Sequence, residues 1–419
     1  MTRQRQHEND GLLRRRRVLA ISIPLNLTLF PYSIMTDYFS SSSPIVVTCP
    51  KRITPYLRRE IEHLGYAGLS EAPAGALLQG TFKDAMRLNL FVRAGHRVLF
   101  QLAKFTARSP DDMYNGVSAI EWERVIPDDG YVSVISSAQT ESIDNSQFAN
   151  VRCKDAIVDR IRRKRGRRPD SGSDTSRAVV FLYWKDRECI VYLDTSGASL
   201  SDRGYRQIPW KAPMRESLAA AVIAATRWDA ASPFLNPMCG SGTLAIEAAC
   251  VAIGKAPGLH RENFGFMHVL GYNHEARSWW KRLREKAAER IVPPEKATFS
   301  IIASDIAPEA VAAARQNAER AGVAEYIQFE TCDFSQTPIP EHSLEARFPV
   351  AIMNPEYGLR LGESAELLDE YKAIGDFLKQ RLSGFTPAYT GYVFTGNTEA
   401  AKRIGLKAKR RIEFYNADI

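Results

Sequence analysis

The second half of the chain alternates short apolar segments with longer segments of helical periodicity, and this alternation constrains the fold most strongly. Strands are predicted at 233–235, 299–304, 327–330, 348–353 and 389–395, with helices at 243–253, 308–321 and 365–381 between them. Strands that alternate with helices form a parallel sheet covered by helices on both faces. The sequence therefore predicts an α/β doubly wound domain over residues 196–419.

Residues 44–195 follow a different pattern, in which short strands and helices are interleaved. Strands are predicted at 44–48, 98–105 and 131–136, and helices at 54–64, 82–93 and 111–121. Two alternating segments, 178–183 and 189–194, flank Asp186-Arg187 as the strands of a hairpin would. We expect one or two small α+β domains in this region.

The first 43 residues form an extension with three competing interpretations. Arg14 to Arg17 precede an apolar run at 18–30, which is shorter than the roughly 20 residues needed to cross a bilayer. The extension is a secretion signal, a disordered basic arm, or sequence upstream of the true start. The third interpretation is favoured, because Met35 begins a plausible start for a cytoplasmic domain, and the basic arm is second.

The net charge of +8 favours a polyanionic partner, with nucleic acid ahead of an anionic membrane surface. A generally basic enzyme is the alternative. The six cysteines include no CxxC pair, which argues against a zinc site and against a disulfide framework. We therefore expect a cytoplasmic protein with no metal and no membrane segment, while the oligomeric state stays open.

A basic segment at 153–168 is predicted to be helical, with Ala156, Ile157 and Ile161 on one apolar face. Its cations are Lys154, Arg160, Arg162, Arg163, Lys164, Arg165, Arg167 and Arg168. They could contact phosphates, or they could cover a solvated helix end, where cations also suit the helix dipole. Combined with the net charge, the cluster favours RNA or DNA binding.

A glycine-rich loop, Asn236-Pro-Met-Cys-Gly-Ser-Gly-Thr243, separates the first predicted strand of the α/β domain from a helix. Gly240 and Gly242 permit positive φ and a close approach of the backbone to a ligand. The loop lacks the GK[ST] ending of a triphosphate-binding loop and the full GxGxxG spacing. A nucleoside with an amino-acid tail suits it better. The candidate contacts are Asn236, Pro237, Cys239, Gly240, Ser241, Gly242 and Thr243.

Polar groups follow the next three predicted strands. Asp305 can accept both hydroxyls of a ribose, and it could also cap the following helix, since the two roles can hold together. Asp333 can accept a hydrogen bond from an adenine amine. The strand at 348–353 ends in Asn354-Pro-Glu-Tyr357. Because ligands bind at the carboxyl edge of a parallel sheet, we expect these groups to face one crevice.

Together these motifs resemble the class I S-adenosylmethionine-dependent methyltransferases. More narrowly, the chain is similar to the THUMP-domain RNA methyltransferases related to the bacterial 23S ribosomal RNA guanine-N2 methyltransferase. The stretches that carry the resemblance are 236–243, Asp305 with 317–322, 354–358, 81–89, 193–206, 212–219, 263–266 and Trp279-Trp280. The similarity runs from Pro44 to the C-terminus.

The resemblance implies a ferredoxin-like piece and a THUMP module before a Rossmann-like catalytic domain, with S-adenosylmethionine as cofactor and structured RNA as partner. It adds Pro213 and Ile306 to the cofactor site. It assigns catalysis to Asn354, Pro355, Glu356 and Tyr357. In these roles Asn354 and Pro355 accept hydrogen bonds from the two N–H groups of an exocyclic base amine, and Tyr357 stacks on the base.

Two residues depart from the family pattern. Asn236 stands where the family usually has aspartate, so a charge that would face the cationic donor is lost, and donor affinity should be lower. Glu356 replaces a second proline, which removes rigidity because only proline fixes φ.

The leading hypothesis is methylation of guanine N2 in large-subunit ribosomal RNA. A guanine or adenine amine of transfer RNA is the alternative substrate. A non-catalytic RNA-binding protein that retains the fold is the third hypothesis, which Asn236 and Glu356 keep open.

Overall fold

The computed structural model describes residues 38–72, 75–143, 145–208, 210, 214–341, 347–355 and 365–414, which belong to one compact unit. The strands are β1 Ser43–Thr48, β2 Ser70–Ala72, β3 Gly75–Gly80, β4 Arg97–Thr106, β5 Tyr131–Gln139, β6 Asp170–Gly172, β7 Ala178–Lys185, β8 Glu188–Asp194, β9 Phe234–Pro237, β10 Ile301–Asp305, β11 Gln328–Thr331, β12 Val350–Met353 and β13 Thr390–Val393. The α-helices are α1 Thr54–His63, α2 Phe82–Phe91, α3 Pro110–Ala119, α4 Ser146–Arg165, α5 Glu216–Ala225, α6 Thr243–Ala252, α7 His274–Glu289, α8 Pro308–Arg320, α9 Ala365–Gln380 and α10 Thr398–Arg403. Short 3-10 turns lie at Trp122–Arg124, Pro257–His260, Gly265–His268, Pro294–Lys296, Ala324–Tyr326 and Phe334–Gln336.

The first half of the described chain builds one continuous sheet, in the order β2-β3-β1-β4-β8-β7-β5-β6. The long strand β4 joins its two parts, because it pairs antiparallel with β1 on one side and with β8 on the other. The predicted hairpin is confirmed: β7 and β8 pair antiparallel, and Asp186 at the turn has a φ of 52°. Helices α3 and α4 pack together beside β5, and α4 carries the predicted basic face.

The second half forms a parallel sheet in the order β11-β10-β9-β12-β13, as the alternation of strands and helices predicts. The chain leaves β9 towards β10 and later returns to its other side at β12. Strands β9 and β12 pair only at Phe234–Val350 and Leu235–Ala351. The order of the strands therefore reverses between β9 and β12, which is the place where open α/β sheets bind ligands.

Buried polar contacts join the two halves. Arg203, with a side chain 3% exposed, donates to the backbone carbonyls of Arg93 and Leu200, each at 2.6 Å, and pairs with Glu247 of α6 at 3.4 Å. Burial of a charge is costly unless the charge is paired and hydrogen-bonded, and here both conditions are met. Arg93 in turn donates to the carbonyl of Lys255 at 2.6 Å.

Aromatic side chains complete this junction. Phe82 of α2 packs edge-on against Phe266, with ring centroids 6.5 Å apart. Phe264 and Phe266 both pack against Trp280 of α7. Gly265 lies against the end of β8 and the segment that follows it, residues 195–202, which we call the connector. A Cβ on Gly265 would meet the Asp194 carbonyl oxygen at 2.4 Å and the Gly197 amide nitrogen at 2.9 Å. The stretch at 263–266 and Trp280 therefore have a structural role between the halves.

The predicted extension at residues 1–43 requires a correction at its end. Its first 37 residues lie outside the described chain, but Tyr38 is 3% exposed and its hydroxyl accepts a hydrogen bond from the Glu121 amide at 3.1 Å. Phe39 packs against Phe82, with ring centroids 4.8 Å apart. The packed part of the chain therefore begins before the predicted boundary at residue 44, because these two aromatic rings find apolar partners.

Candidate active site

The glycine-rich loop connects β9 to α6 and has an unusual backbone. Met238, Gly240 and Gly242 have φ values of 58°, 53° and 82°. The left-handed region is strained for residues other than glycine. At Gly242 the space is limited as well, because a Cβ would come 2.8 Å from the Cβ of Ala314 on α8. The loop therefore needs Gly242 for both conformation and packing.

Asn317 of α8 holds the loop from behind. Its side-chain amide is fully buried and donates to the carbonyls of Ser241, at 3.2 Å, and Ile208, at 2.9 Å. Its side-chain oxygen accepts from the Ile208 amide at 3.3 Å. In the sequence, Asn317 stands out only as part of the stretch that resembles the family, and this role was not predicted. Its position on the buried face of an otherwise amphipathic helix was the available signal.

The Asp305 carboxylate lies at the carboxyl end of β10, directly beside this loop. It accepts hydrogen bonds from the Gly240 amide and from the Ala307 amide, both at 3.0 Å. Ala307, not Asp305, is the N-cap of α8, so the helix-capping interpretation is wrong. Ile306 is 70% exposed next to it. An exposed apolar side chain beside a carboxylate suits the flat face and the ribose of a nucleoside.

Asp333 follows β11 and begins a 3-10 turn. Its carboxylate accepts from the Ser335 amide at 2.9 Å and from the Ser335 hydroxyl at 2.5 Å. These bonds fix the carboxylate at the same sheet edge as Asp305, one strand further out. The prediction that both carboxylates end neighbouring strands therefore agrees with the sheet topology.

Asn236 lies at the point where β9 and β12 separate. The residue is 1% exposed, and its amide donates to the Ile352 carbonyl at 2.9 Å. Its side-chain oxygen and the hydroxyl of Thr243 are buried without a hydrogen-bond partner in the described chain. Buried polar atoms are normally paired. Two unpaired polar atoms, one at each end of the glycine-rich loop, fit a site in which a polar ligand supplies the missing hydrogen bonds.

The strand β12 ends two residues before the buried Pro355, and Asn354 between them is partly exposed. The Phe394 amide donates to the Met353 carbonyl at 2.9 Å, which fixes the strand end against the segment after β13. Glu356 and Tyr357 lie outside the described residues, as does Pro213. The structure therefore places the first two residues of the predicted catalytic motif at the same edge as the loop and Asp305.

Cys239 of the loop is buried, and burial raises the pKa of its thiol, helped by the nearby Asp305 carboxylate. A raised thiol pKa keeps sulfur protonated and weakly nucleophilic. Cys239 is therefore suited to packing under the loop and not to covalent chemistry.

The basic face of α4 divides into paired and solvent-facing cations. Arg160 is half-buried and donates to both carboxylate oxygens of Glu123, at 2.7 Å and 3.1 Å. Arg165 pairs with Asp128 at 3.0 Å and also contacts the Glu123 carbonyl. Arg167 and Arg168 lie within 4.0 Å of Asp128 and Asp155. The exposed cations at the centre of the face are Arg162, Arg163 and Lys164, and Lys154 is partly exposed.

Three family models match consecutive parts of the chain. An RlmL ferredoxin-like domain matches residues 44–99, a THUMP domain matches 107–194, and an RMKL-like methyltransferase domain matches 203–419. The chain belongs to the RMKL-like methyltransferase family. The predicted family and the predicted fold class are thereby confirmed.

Similar proteins agree with this family membership. A ribosomal RNA large subunit methyltransferase K/L from Syntrophotalea carbinolica is 36% identical over 88% of this chain and 51% of its own length. One from Pseudomonas putida is 35% identical over 91% of this chain and 51% of its own. The chain thus spans about half the length of the curated relatives it matches. A solved structure described as a possible methylase from Clostridium difficile has a TM-score of 0.78 and 29% identity, and covers 90% of this chain and 95% of that one.

The described residues contain neither a helix suited to a membrane crossing nor a cluster of metal ligands. None of the described helices combines the length and apolar character that a membrane crossing requires. Within the same residues, no three histidine, cysteine, aspartate or glutamate side chains are grouped as metal ligands.

Proposed function

We propose that this protein transfers a methyl group from S-adenosylmethionine to the exocyclic N2 amine of a guanine in large-subunit ribosomal RNA. One observation supports the proposal most directly. The glycine-rich loop, Asp305, Asp333 and Asn354 end four strands of one parallel sheet and meet at its carboxyl edge. The RMKL-like family match and the ribosomal RNA methyltransferase names of the relatives support the reaction and the substrate.

The donor site fits the nucleoside and amino-acid parts of S-adenosylmethionine. Asp305 is positioned to accept from ribose hydroxyls, and the exposed Ile306 offers an apolar surface for the base. Asp333 offers an acceptor for an exocyclic amine. The loop from Pro237 to Thr243 brings its backbone close to the ligand, with Cys239 packed beneath and Ser241 held by Asn317. When bound, the donor supplies a methyl group already activated on a sulfonium, so the protein needs no covalent nucleophile.

The acceptor side is formed by Asn354 and Pro355. The side-chain oxygen of Asn354 and the carbonyl of Pro355 accept hydrogen bonds from the two N–H groups of the base amine. These hydrogen bonds help the nitrogen towards tetrahedral geometry. Tyr357 stacks on the base, which must leave its own stack to reach the pocket. Positioning of this kind can lower a reaction barrier by roughly 7 kcal/mol or more. Glu356 contributes no acceptor to this scheme.

The RNA is held by the α3–α4 surface of the THUMP domain. The exposed Arg162, Arg163 and Lys164 supply most of the phosphate contacts, with Lys154, Arg167 and Arg168 at the margin. The paired Arg160 and Arg165 support the helix. We also propose that the protein acts in the cytoplasm, since all six cysteines are free thiols, as a reducing compartment would keep them.

The test is methyl transfer from tritiated S-adenosylmethionine to unmodified large-subunit ribosomal RNA and to transfer RNA, with Asn354→Ala as the inactive control. We expect transfer to ribosomal RNA only, and mass spectrometry of the product should find N2-methylguanosine. Transfer to transfer RNA alone, or to an adenine, would replace the proposed substrate. Donor binding by calorimetry without transfer to any RNA would mean that the protein binds RNA without catalysis.

A further inference from the structure

A second basic surface lies at the end of the described chain, far along the sequence from the THUMP domain. Residues 402–413 contain six cations and one carboxylate, Glu413. The cations are Lys402, Arg403, Lys407, Lys409, Arg410 and Arg411, all exposed. Helix α10 ends at Arg403, so most of these cations lie on irregular backbone and cannot serve a helix dipole.

The segment is packed onto helix α1 of the ferredoxin-like domain. The Phe414 and Tyr56 rings have centroids 5.8 Å apart, and Arg410 lies 3.5 Å from the Tyr56 hydroxyl. Glu413 pairs with Arg52 at 3.3 Å. Helix α1 and the residues before it add the exposed cations Lys51, Arg52 and Arg59. We call residues 402–413 together with these three cations the basic seam.

The basic seam is connected to the acceptor side of the active site. Phe394 donates its amide to the Met353 carbonyl, next to Asn354, and its ring lies 6.3 Å from the Phe414 ring. Helix α9 supports the start of the seam, since Gly375 approaches the Ile404 carbonyl so closely that a Cβ would lie 2.0 Å from its oxygen. Phe394 therefore links the two regions: it contacts Met353 beside the catalytic motif and Phe414 at the end of the seam.

We propose that the basic seam binds the phosphate backbone of the RNA strand whose base enters the pocket at Asn354. This inference rests on the proposed function, which makes RNA the substrate. Glu399 pairs with Lys402 and Glu413 pairs with Arg52, but the seam holds more cations than these two carboxylates can neutralise. Cations held together on a fixed surface repel one another unless further anions neutralise them. A strand drawn out of its helix to present a base runs past the pocket for several nucleotides, and its phosphates need cations there. The α3–α4 surface of the THUMP domain then binds the folded part of the RNA, and the basic seam binds the reacting strand.

The experiment compares two triple charge reversals in the full chain. The first, Lys407→Glu, Lys409→Glu and Arg411→Glu, removes exposed seam cations and leaves Arg410 on Tyr56. The second, Lys281→Glu, Arg282→Glu and Lys286→Glu, makes the same change of charge on the exposed face of α7, a helix that packs against α2. RNA binding is measured against salt concentration with an unmodified ribosomal RNA transcript, and methyl transfer is measured under the same conditions.

For the seam variant we expect KM for RNA to rise at least tenfold with little change in kcat. The plot of log affinity against log salt, which has a negative slope, should become shallower by about 2. Each phosphate contact contributes roughly 0.7 to that slope for single strands. The α7 variant should change the slope by less than half as much. A glutamine triple at the three seam positions should give an intermediate KM, and donor binding by calorimetry should be unchanged in every variant.

Equal effects of the two triple reversals would overturn the inference, because general charge would then explain the result. An unchanged RNA affinity with lost binding to anionic phospholipid vesicles would overturn it in favour of a membrane surface. In both cases the wild-type protein still methylates RNA, so the proposed function stands. If the wild-type protein neither binds nor methylates RNA, the proposed function fails and the inference fails with it.

Discussion

The side-chain amide of Asn236 donates a hydrogen bond to the backbone carbonyl of Ile352 at 2.9 Å, across the point where strands β9 and β12 stop pairing. The amide thereby continues the link between the two strands beyond their last backbone pair. An ionised aspartate, the residue that the family resemblance leads us to expect here, could not donate this bond. In this chain the exchange of a carboxylate for an amide therefore supplies a contact as well as removing a charge.

Asn236→Asp should lower the free energy of unfolding at neutral pH by about 1–3 kcal/mol, because a buried carbonyl loses its donor. The loss should shrink at low pH, where a protonated carboxyl can donate. Urea denaturation across pH measures this, with Asn236→Ala as a control whose loss should not depend on pH. If Asn236→Asp is as stable as the wild type at neutral pH, the link is unimportant. Calorimetry on the same variant tests whether the restored charge tightens donor binding.

Gly242→Ala should be more destabilising than Gly240→Ala. Both positions have positive φ, which costs alanine roughly 1–2 kcal/mol. Only at Gly242 does the added methyl group overlap a neighbour, Ala314 at 2.8 Å, whereas at Gly240 the nearest atom, on Trp210, is 3.7 Å away. Overpacking adds about 1–3 kcal/mol. Thermal and urea unfolding of the two variants give the comparison, and equal losses would contradict the packing argument.

Glu216 should make stability depend on pH. Burial raises the pKa of its carboxyl to about 7, despite the Arg206 guanidinium at 3.1 Å. The folded state thus prefers the protonated acid, so this contribution is full below the unfolded pKa near 4.5 and is lost as pH rises to about 7. The loss amounts to roughly 3 kcal/mol. Glu216→Gln should remove it, which urea denaturation between those pH values would detect.

The matched control for that experiment is Glu275→Gln. Glu275 is an exposed carboxylate paired with Lys83 at 2.6 Å, and the pair lowers its pKa. Its contribution is present above the unfolded pKa and is lost as pH falls, so the trend has the opposite sign. A wild-type profile that Glu216→Gln leaves unchanged would show that another group titrates there.

Arg162→Glu with Arg163→Glu should weaken RNA binding and lower its salt slope by about 1–2, without loss of stability, since both side chains face solvent. Arg160→Ala should instead lower the stability and leave RNA binding and its salt slope nearly unchanged. It leaves the partly buried Glu123 carboxylate without its two hydrogen bonds and should cost roughly 1–3 kcal/mol of unfolding free energy. Gel-shift titrations at several salt concentrations and urea denaturation separate the two effects. A salt slope unchanged by the double reversal would make this face a merely solvated one.

Features with a local cause could be predicted from the sequence. The parallel sheet follows from the alternation of strands and helices, and the loop conformation follows from Gly240 and Gly242. The carboxyl-edge positions of Asp305 and Asp333 follow from the rule that parallel strands end together. Helix α5 was missed because it is apolar on nearly all sides and shows no helical periodicity, since it is buried on nearly all sides.

Features that depend on distant residues could not be predicted. The Asn236 bond joins residues 116 positions apart. Which arginines of α4 face solvent depends on Glu123 and Asp128, which approach only in the folded chain. Nothing in the sequence around Arg203 predicts that its side chain is buried. Only its partners in α6 and in the segment after α2 explain this burial.

Those partners of Arg203 belong to the ferredoxin-like domain, the connector and the methyltransferase domain at once. If the chain were divided between the domains, Arg203 would stay with Glu247 in the methyltransferase domain but would lose its bond to the Arg93 carbonyl, and Arg93 would lose its bond to the Lys255 carbonyl. The two halves therefore depend on each other for folding, and we expect them to melt in a single calorimetric transition. The distance between the proposed RNA-binding surface and the proposed pocket for the base would then be set by the fold and not by a flexible linker, so only a nucleotide at one fixed distance from the bound part of the RNA could reach the pocket.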